Sequence, residues 1–188
     1  MTEEYQIGKA ANKVVSRDRN FHSIDFSRHS GDNVLATAEF LANFYPDAVL
    51  MLSKIHHPEV AYVGRNCEHI LGYTRTRMMS LTPEEIFALI HPDDASAVRM
   101  CYEQMEKVMS SKDYRPDNFR FAIHYRWRTA RGEYICICDE KRGFLYEEEA
   151  YIHYAVVRQI EEHDFSCCLT IYQKNSNSVW KSMDYISL

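Results

Sequence analysis

Residues 118–140 read NFRFAIHYRWRTARGEYICICDE, and this stretch decides the fold. From Phe119 to Trp127, aromatic and apolar side chains occupy every second position, with arginine or histidine at most positions between them. This period of two is typical of a strand with one buried face. Gly132 then stands in an Ala-Arg-Gly-Glu turn before a second β-forming run from Tyr134, and glycine permits the backbone of a tight turn. The stretch predicts an antiparallel hairpin.

The same alternation separates the arginines from the aromatic side chains. A surface that stacks nucleic-acid bases needs both on one face, and here they point to opposite faces. The net charge of -5 and the pI near 6.0 also argue against direct nucleic-acid binding by this segment. Acidic runs at residues 147–149 and 161–162 are placed to neutralise the arginines on neighbouring strands, so we expect an outer face of paired charges.

A helical pattern opens the structured part of the chain at residues 34–45. Its apolar side chains recur at helical spacing after Asp32 or Asn33, either of which is a candidate N-cap. Pro46 ends the pattern. The sequence does not decide whether this amphipathic helix packs on its own sheet or on a partner's. The apolar positions are Val34, Leu35, Ala38, Leu41, Ala42 and Tyr45.

Short elements connect this helix to the hairpin. Strands are predicted around residues 48–55 and 60–64, followed by a short helix that Asn66 caps and Gly72 stops. A further strand is predicted at residues 150–162, after the hairpin. The run FSCCLTIYQ at residues 165–173 is either an extra strand or a continuation.

Two more helices are predicted between the first strands and the hairpin. Thr82 is the expected N-cap of the first, with Pro83 at its first helical position. Asp93 or Asp94 caps the second and longer helix, where their charges suit the helix dipole. One face of that helix carries Val98, Cys101 or Tyr102, Met105 and Val108.

This order of elements predicts an α+β fold. We expect a single antiparallel sheet of about five strands with short helices on one face, plus an N-terminal helix and a C-terminal extension. The predicted division is an N-terminal arm at 1–33, the amphipathic helix at 34–45, the main domain at 46–162, and an extension or linker toward an effector at 163–188.

Composition narrows the class of protein. With 188 residues and 46% hydrophobic residues, the chain is long enough for one good core. It has neither an apolar run long enough to span a bilayer nor the apolar region of a signal peptide, so we expect a cytoplasmic protein. The six cysteines lie largely in apolar runs without a Cys-x-x-Cys pair, and are predicted to be free buried thiols.

Three stretches in order, between Tyr45 and Glu162, resemble a PAS domain. YVGRNCEHILGY at residues 62–73 resembles the family's second strand and first helix, and IHPDD at 90–94 resembles the opening of its long connecting helix. HYRWRTARGEYICICDE at 124–140 resembles its hairpin. The residues matched to these structural motifs are Gly72, His91, Pro92, Asp93, Asp94 and Gly132.

The resemblance implies a pocket between the inner face of the sheet and the short helices. The alternative is that the same side chains simply fill a close-packed core. The candidate ligand-binding residues are Leu50, Leu52, Phe87, Ile90, Phe121, Ile123, Tyr125, Cys136, Cys138, Tyr154 and Val156.

The tetrapeptide Gly-Arg-Asn-Cys at residues 64–67 raises the question of a flavin. In light-oxygen-voltage members of the family this motif follows the Leu-Gly-Tyr helix, whereas here it precedes Leu71-Gly72-Tyr73. Cys67 is therefore predicted not to be a flavin nucleophile. The long helix lacks the histidine that haem-binding members use, which leaves His69, His91 and His124 as candidate ligands.

The resemblance implies a signal-sensing or protein-interaction module that is not an enzyme. We expect it to bind a small ligand or to mediate dimerisation as a homodimer; the alternative is a haem- or flavin-binding redox, gas or light sensor. No metal site is predicted. The effector, such as a LuxR-type helix-turn-helix that regulates transcription, would lie outside this chain or act as a partner protein.

Overall fold

The computed structural model of the chain describes residues 31–54, 57–146, 150–161, 167–175 and 179–187. Most of the predicted N-terminal arm, residues 1–30, lies outside this described part. The helices are α1 (Gly31–Phe44), α2 (Cys67–Ile70), α3 (Arg75–Met79), α4 (Pro83–Phe87) and α5 (Pro92–Met109), with a 3-10 turn at Pro116–Asn118. The strands are β1 (Ala48–Lys54), β2 (His57–Val63), β3 (Phe119–Arg128), β4 (Tyr134–Tyr146), β5 (Ala150–Gln159), β6 (Cys168–Lys174) and β7 (Trp180–Ser187).

The described strands form one antiparallel sheet in the order β2-β1-β5-β4-β3-β6-β7. The α+β class and the predicted hairpin are confirmed. The expected count of about five strands was wrong, because the sheet has seven. The additional two, β6 and β7, come from residues 163–188, where an extension or linker was predicted. An extra strand at residues 165–173 was one of two alternatives left open, and β6 occupies most of that run. β6 pairs along the edge of β3 from Phe119 to His124, which satisfies backbone groups that an edge strand would leave open.

The helices α2 to α5 lie on one side of the sheet, here called the inner face. Its core joins side chains of β3, such as Phe121 and Ile123, to Met78 of α3 and Val98 and Met105 of α5. All five are almost fully buried. The predicted apolar face of the long helix is therefore correct, with Cys101 rather than Tyr102 in its fully buried row.

The helix α1 packs on the opposite, outer face of the same sheet. Its Ala38 and Leu41 form a small core with Leu50, Leu52 and Val156 of β1 and β5. This contact settles which sheet the amphipathic helix covers. The helix begins at Gly31, so Asp32 and Asn33 lie inside it and do not cap it. Leu35, predicted to face inward, is exposed.

Two polar side chains, Asn66 and Glu39, make hydrogen bonds that connect α1 to the strands beneath it. The Asn66 amide donates hydrogen bonds to the carbonyl oxygens of Ala42, Tyr45 and Ala48, at 2.9, 2.8 and 3.2 Å. It was predicted to cap α2, and it makes no such bond. The last carbonyl groups of α1 have no N–H partner within the helix, and the Asn66 side chain bonds to this region instead of capping α2. Glu39 completes the attachment by accepting a hydrogen bond from the Tyr62 hydroxyl.

The start of α5 is joined to β3 by backbone and side-chain contacts. Asp94 accepts hydrogen bonds from the peptide N–H of Arg126 at 2.8 Å and from its guanidinium at 2.6 and 3.0 Å. The N-cap of α5 is His91, whose Nδ1 accepts from the peptide N–H of Asp93. The predicted cap of Asp93 or Asp94 was therefore wrong, because Asp94 is used by Arg126. Ile90 forms a bridge to Trp127.

Local turn signals are correct elsewhere in the chain. Thr82 caps α4 in a reciprocal pair with Glu85, and Pro83 takes the first helical position. Gly72 has a φ of +76°, and a Cβ there would lie 3.2 Å from Ala130 Cβ, so only glycine fits without strain. Gly132 turns the hairpin with a φ of +84°.

Replacing Asp94 with asparagine should destabilise the fold by about 2 kcal/mol, because a charged and buried hydrogen-bond acceptor is lost. Burial opposes the ionised carboxylate, but hydrogen bonds from Arg126 outweigh it and hold the pKa of Asp94 below its ordinary value of 3.8. The contribution is therefore complete above pH 3.8 and is lost as the pH falls through the lowered pKa. Urea unfolding at neutral pH and in acid should show the difference between wild type and variant shrinking on acidification.

Asp93→Asn is the matched control for this experiment. Asp93 lies in the same helical turn, but its side chain is 76% exposed and 3.7 Å from the Arg126 guanidinium. Exposed ion pairs contribute little, so the control should change the free energy of unfolding by less than ~0.5 kcal/mol. Equal effects of the two variants would contradict the assigned role of Asp94.

Asn66→Ala should lower the free energy of unfolding by about 1–2 kcal/mol, because three carbonyls around the end of α1 lose their donor. The control is Asn43→Ala, since the Asn43 amide makes only a local bond to the Glu39 carbonyl on an exposed helix surface. Hydrogen exchange should show faster exchange in α1 for the first variant alone. Unchanged protection of α1 in Asn66→Ala would refute the attachment.

Candidate functional site

The predicted lining residues do not share one face of the sheet. Phe121, Ile123 and Tyr125 face the inner core, with Ile90 and the partly buried Phe87 beside them. The rest of the set lies at outer-face positions: Leu50, Leu52 and Val156 pack under α1, Cys138 packs with Ala122 and Tyr172, Cys136 pairs in register with Arg126, and Tyr154 pairs with Leu52.

The reason for this error is the register of β1 and β4. AVLML in β1 and YICIC in β4 are apolar at every position because both faces of the sheet are partly covered. Such runs lack the alternation that assigns a face, and a choice of the wrong parity moves every second residue to the other side. One pocket lined by all eleven residues is therefore excluded.

The correct parity brings a charged cluster onto the inner face. The Asp139 carboxylate accepts a hydrogen bond of 2.8 Å from the Tyr125 hydroxyl. The Lys141 ammonium lies 2.8 and 3.0 Å from the two Asp139 oxygens. Asp139 and Tyr125 are each only 2% exposed. We call Tyr102, Tyr125, Asp139 and Lys141 the inner polar cluster.

Helix α5 contributes Tyr102 to this cluster. The Tyr102 ring has the Lys141 ammonium 5.5 Å from its centroid. It also lies against the Phe87 ring, with ring centroids 5.4 Å apart. The cluster thus spans the sheet and the helix that covers it, with apolar side chains around a carboxylate, an ammonium and two phenols. Ligand sites in proteins have this composition of mostly apolar walls with a few placed polar groups.

The electrostatics of the inner polar cluster fix its protonation near neutral pH. Burial disfavours the ammonium, but the adjacent Asp139 carboxylate outweighs burial and holds the pKa of Lys141 above its ordinary value. Burial, helped by the Asp139 charge, raises the pKa of Tyr125 well above 10.0. Burial also raises the pKa of Tyr102. The cluster therefore contains one cation and two neutral phenols, and the Tyr125 hydroxyl already donates to Asp139.

Sequence reasoning named Tyr125 but missed Tyr102, Asp139 and Lys141 as site residues. A signal for two of them was available in the hairpin. Pairing across the Gly132 turn places Ile137 opposite Tyr125 and Asp139 opposite Ile123, so Asp139 and Lys141 share the parity of the buried aromatic side chains. Charged residues at inward positions of a strand indicate a functional or structural pair.

The outer face carries a second group of buried charges. Glu140 lies 3.7 Å from Arg120 and 3.5 Å from Arg158. The Arg120 guanidinium lies over the Tyr172 ring at 4.2 Å, and Trp180 of β7 covers both Arg120 and Arg142. Paired charges on the outer face were predicted, with residues 147–149 and 161–162 as partners. Residues 147–149 and 162 lie outside the described part of the chain, Glu161 is exposed, and Glu140 is a partner that was not predicted.

The histidines considered for haem are dispersed. His69 is exposed on α2, His91 caps α5, and His124 is buried on the outer face with its Nδ1 3.6 Å from the Cys168 sulfur. Burial lowers the pKa of His124 to about 4. Within the described ranges, no three His, Cys, Asp or Glu side chains are grouped so that they would hold a metal.

Cys67 lies at the start of α2, fully buried in the inner core. Burial raises the pKa of its thiol, which disfavours the nucleophilic thiolate. Helices of the described segments are all too short or too polar to cross a membrane.

The chain was compared with known proteins. No curated protein matches the chain. A solved structure of the N-terminal domain of a diguanylate cyclase with PAS/PAC sensor from Marinobacter aquaeolei is 18% identical, with a TM-score of 0.48, and covers 63% of this chain and 99% of its own. A sensory box histidine kinase/response regulator from Burkholderia thailandensis is 21% identical, with a TM-score of 0.46, and covers 66% and 85%.

A third solved structure is Drosophila melanogaster Cycle PAS-B with bound ethylene glycol. It is 15% identical, with a TM-score of 0.43, and covers 60% of this chain and 97% of its own. The family model described as the PAS fold matches residues 60–157. This match runs from β2 through the helices to β5 and includes the inner polar cluster. Because it spans more than half of the chain, the protein belongs to the PAS fold family.

Proposed function

We propose that this PAS domain is a non-catalytic signal-sensing module that binds a small organic ligand at the inner polar cluster. The observation that carries the proposal is the Asp139–Lys141 ion pair beneath α5, with the Asp139 side chain 3% exposed and the Lys141 side chain 15% exposed. Burying two charges costs free energy that the pairing only partly recovers, and apolar side chains would fill the same space at lower cost. Perturbed ionisable groups between a sheet and its covering helix are typical of binding sites.

The chemistry of the cluster indicates the class of ligand. The Lys141 ammonium and the Tyr102 hydroxyl can donate hydrogen bonds, so the polar end of the ligand would be an acceptor such as a carboxylate or a carbonyl. Phe87 and Ile90 supply apolar surface for the remainder of the molecule. The acceptor group of the ligand would replace Asp139 as the partner of Lys141, or it would accept a hydrogen bond from the Tyr102 hydroxyl.

The fold provides a route by which binding would be transmitted. Tyr102 lies on α5, and the same helix is fixed to β3 through Asp94 and Arg126. A ligand that displaces Tyr102 would bias the position of α5 relative to the sheet. We propose that the signal passes to an effector, such as a LuxR-type transcriptional regulator, and that the protein acts in the cytoplasm.

A ligand that fits this site should raise the melting temperature of the wild-type protein by about 5–10 °C at 100-fold excess over its Kd. Differential scanning fluorimetry against a library of small carboxylates and carbonyl compounds would identify it. Lys141→Met should abolish the shift, because the cation that orients the acceptor is gone.

The matched control for ligand binding is Lys107→Met. Lys107 is an exposed lysine on the same helix as Tyr102, so the substitution removes the same charge without touching the cluster, and the thermal shift should be retained. Isothermal titration with both variants would measure the change in Kd. A ligand that binds wild type and Lys141→Met equally tightly would show that the cluster is structural.

Dimerisation is the second candidate function, favoured by an exposed aromatic side chain on α1. Phe40 is 61% exposed, on the side of the helix away from the buried Ala38 and Ala42. Since α1 packs on its own sheet through Ala38 and Leu41, a second copy would contact the outward side of the helix. A homodimer through α1 is thus the form of self-association that we propose.

Phe40→Glu should convert such a homodimer to a monomer, because a charge would be buried at the interface. Light scattering coupled to size-exclusion chromatography would measure the mass. Met100→Glu, which adds the same charge at an exposed position of α5, should leave the mass unchanged. A protein that is monomeric before substitution at micromolar concentration would exclude this interface.

A further inference from the structure

An exposed arginine of α5 lies next to the inner polar cluster. The Arg99 guanidinium lies over the Phe87 ring, 5.5 Å from the ring centroid. The other neighbour of the Phe87 ring is the Tyr102 ring, and the Lys141 ammonium lies 5.5 Å from the centroid of Tyr102. Two aromatic rings thus connect a cation at the surface to the cation of the cluster.

This path leads from solvent to the ion pair of the candidate site. Arg99 is exposed, and Phe87 and Tyr102 are half-buried. The Lys141 side chain is 15% exposed, whereas the Asp139 side chain is 3% exposed. A small molecule that arrives from solvent would therefore meet Arg99 first, the two rings next, and the ion pair last.

Within the described part of the chain, Arg99 has no acidic partner. Glu103 follows it by four residues on α5, a spacing at which helical ion pairs form, yet the guanidinium stacks on the Phe87 ring. By contrast, Arg77 pairs with Glu85 at 3.0 Å. A guanidinium that stacks on a ring keeps N–H donors at its edge, where a carboxylate can bind with two parallel hydrogen bonds.

We propose that the ligand of the inner polar cluster carries an acidic group at each end, one bound by Lys141 and the other by Arg99. The apolar chain between the two groups would lie along the Phe87 and Tyr102 rings, because these rings separate the two cations. The inference rests on the proposed ligand site at the cluster. It adds Arg99 as the residue that distinguishes a ligand with two acidic groups from a ligand with one.

The two cations belong to different layers of the fold. Arg99 is on α5 and Lys141 is on β4, so a molecule that binds both would bridge the helix and the sheet. A monocarboxylate bound at Lys141 would leave Arg99 without an acidic partner. A dicarboxylate would therefore bias the position of α5 more strongly, because it alone would interact with both layers.

The test is a titration of the wild-type protein with linear dicarboxylates of increasing chain length, each compared with the monocarboxylate of equal length. At the best chain length, the dicarboxylate should bind about fivefold more tightly, which is the gain expected from one partly exposed ion pair. Added salt should reduce this difference, because Arg99 is exposed to solvent.

Substitution of each cation assigns the two ends of the ligand. Arg99→Gln should bring the two ligands to within about twofold of each other and leave the Kd of the monocarboxylate unchanged. Lys141→Met should weaken the binding of both. Arg131→Gln is the matched control, since it removes the same charge from the exposed hairpin turn and should preserve the fivefold difference.

The outcomes separate this inference from the proposed site on which it rests. Equal binding of the two ligands by wild type, or an undiminished difference in Arg99→Gln, would overturn the role of Arg99 and leave a monocarboxylate site at Lys141 standing. If no member of the series binds, or if Lys141→Met binds all of them as wild type does, both the site and the inference are wrong.

Discussion

The hydrogen bonds between the Asp94 carboxylate and Arg126 join the start of α5 to β3. Pairing of β6 with β3 reaches only to His124, so the following residues of β3 need other partners for their backbone groups. Asp94 accepts from the Arg126 N–H, the Arg126 carbonyl accepts from His91, and the Leu89 carbonyl accepts from Arg128. The segment that opens α5 thus continues the sheet in place of a strand.

The position of α5 over the inner face follows from this junction. With its first turn fixed to β3, the helix places Val98 and Met105 into the core and brings Tyr102 and Cys101 to the sheet. The inner polar cluster therefore depends on a helix whose first turn is hydrogen-bonded to β3 and whose remaining length is held by packing against the core.

The outer face shows how a second layer changes the pattern of a sheet. Both faces of strand β1 are covered. Val49 packs in the core of the inner face, and Leu50 and Leu52 pack against α1 on the outer face. Further along, Glu140 and the arginines lie buried beneath Tyr172 and Trp180. Buried charges need partners close by, and Glu140 pairs with Arg120 and Arg158. The aromatic rings that cover the arginines come from β6 and β7, strands that extend the sheet beyond the matched family region.

The sequence by itself determined the α+β class, the hairpin about Gly132, the helix that Thr82 and Pro83 begin, and the buried row of the long helix. These features depend on local rules of turns, caps and periodicity, which act over a few residues. The resemblance of three short stretches to PAS domains was also correct, because the family model matches the same region.

Only the tertiary structure decided which residues of each strand face inward and which partner each polar side chain bonds. It also decided that residues 163–188 add two strands to the sheet. Asn66 and Asp94 looked like caps, yet distant carbonyls and Arg126 use them, since a side chain bonds the partner that folding brings nearest. The uniformly apolar runs of β1 and β4 concealed their parity, and with it the inward positions of Asp139 and Lys141. Register is a property of paired strands, and no single strand contains it.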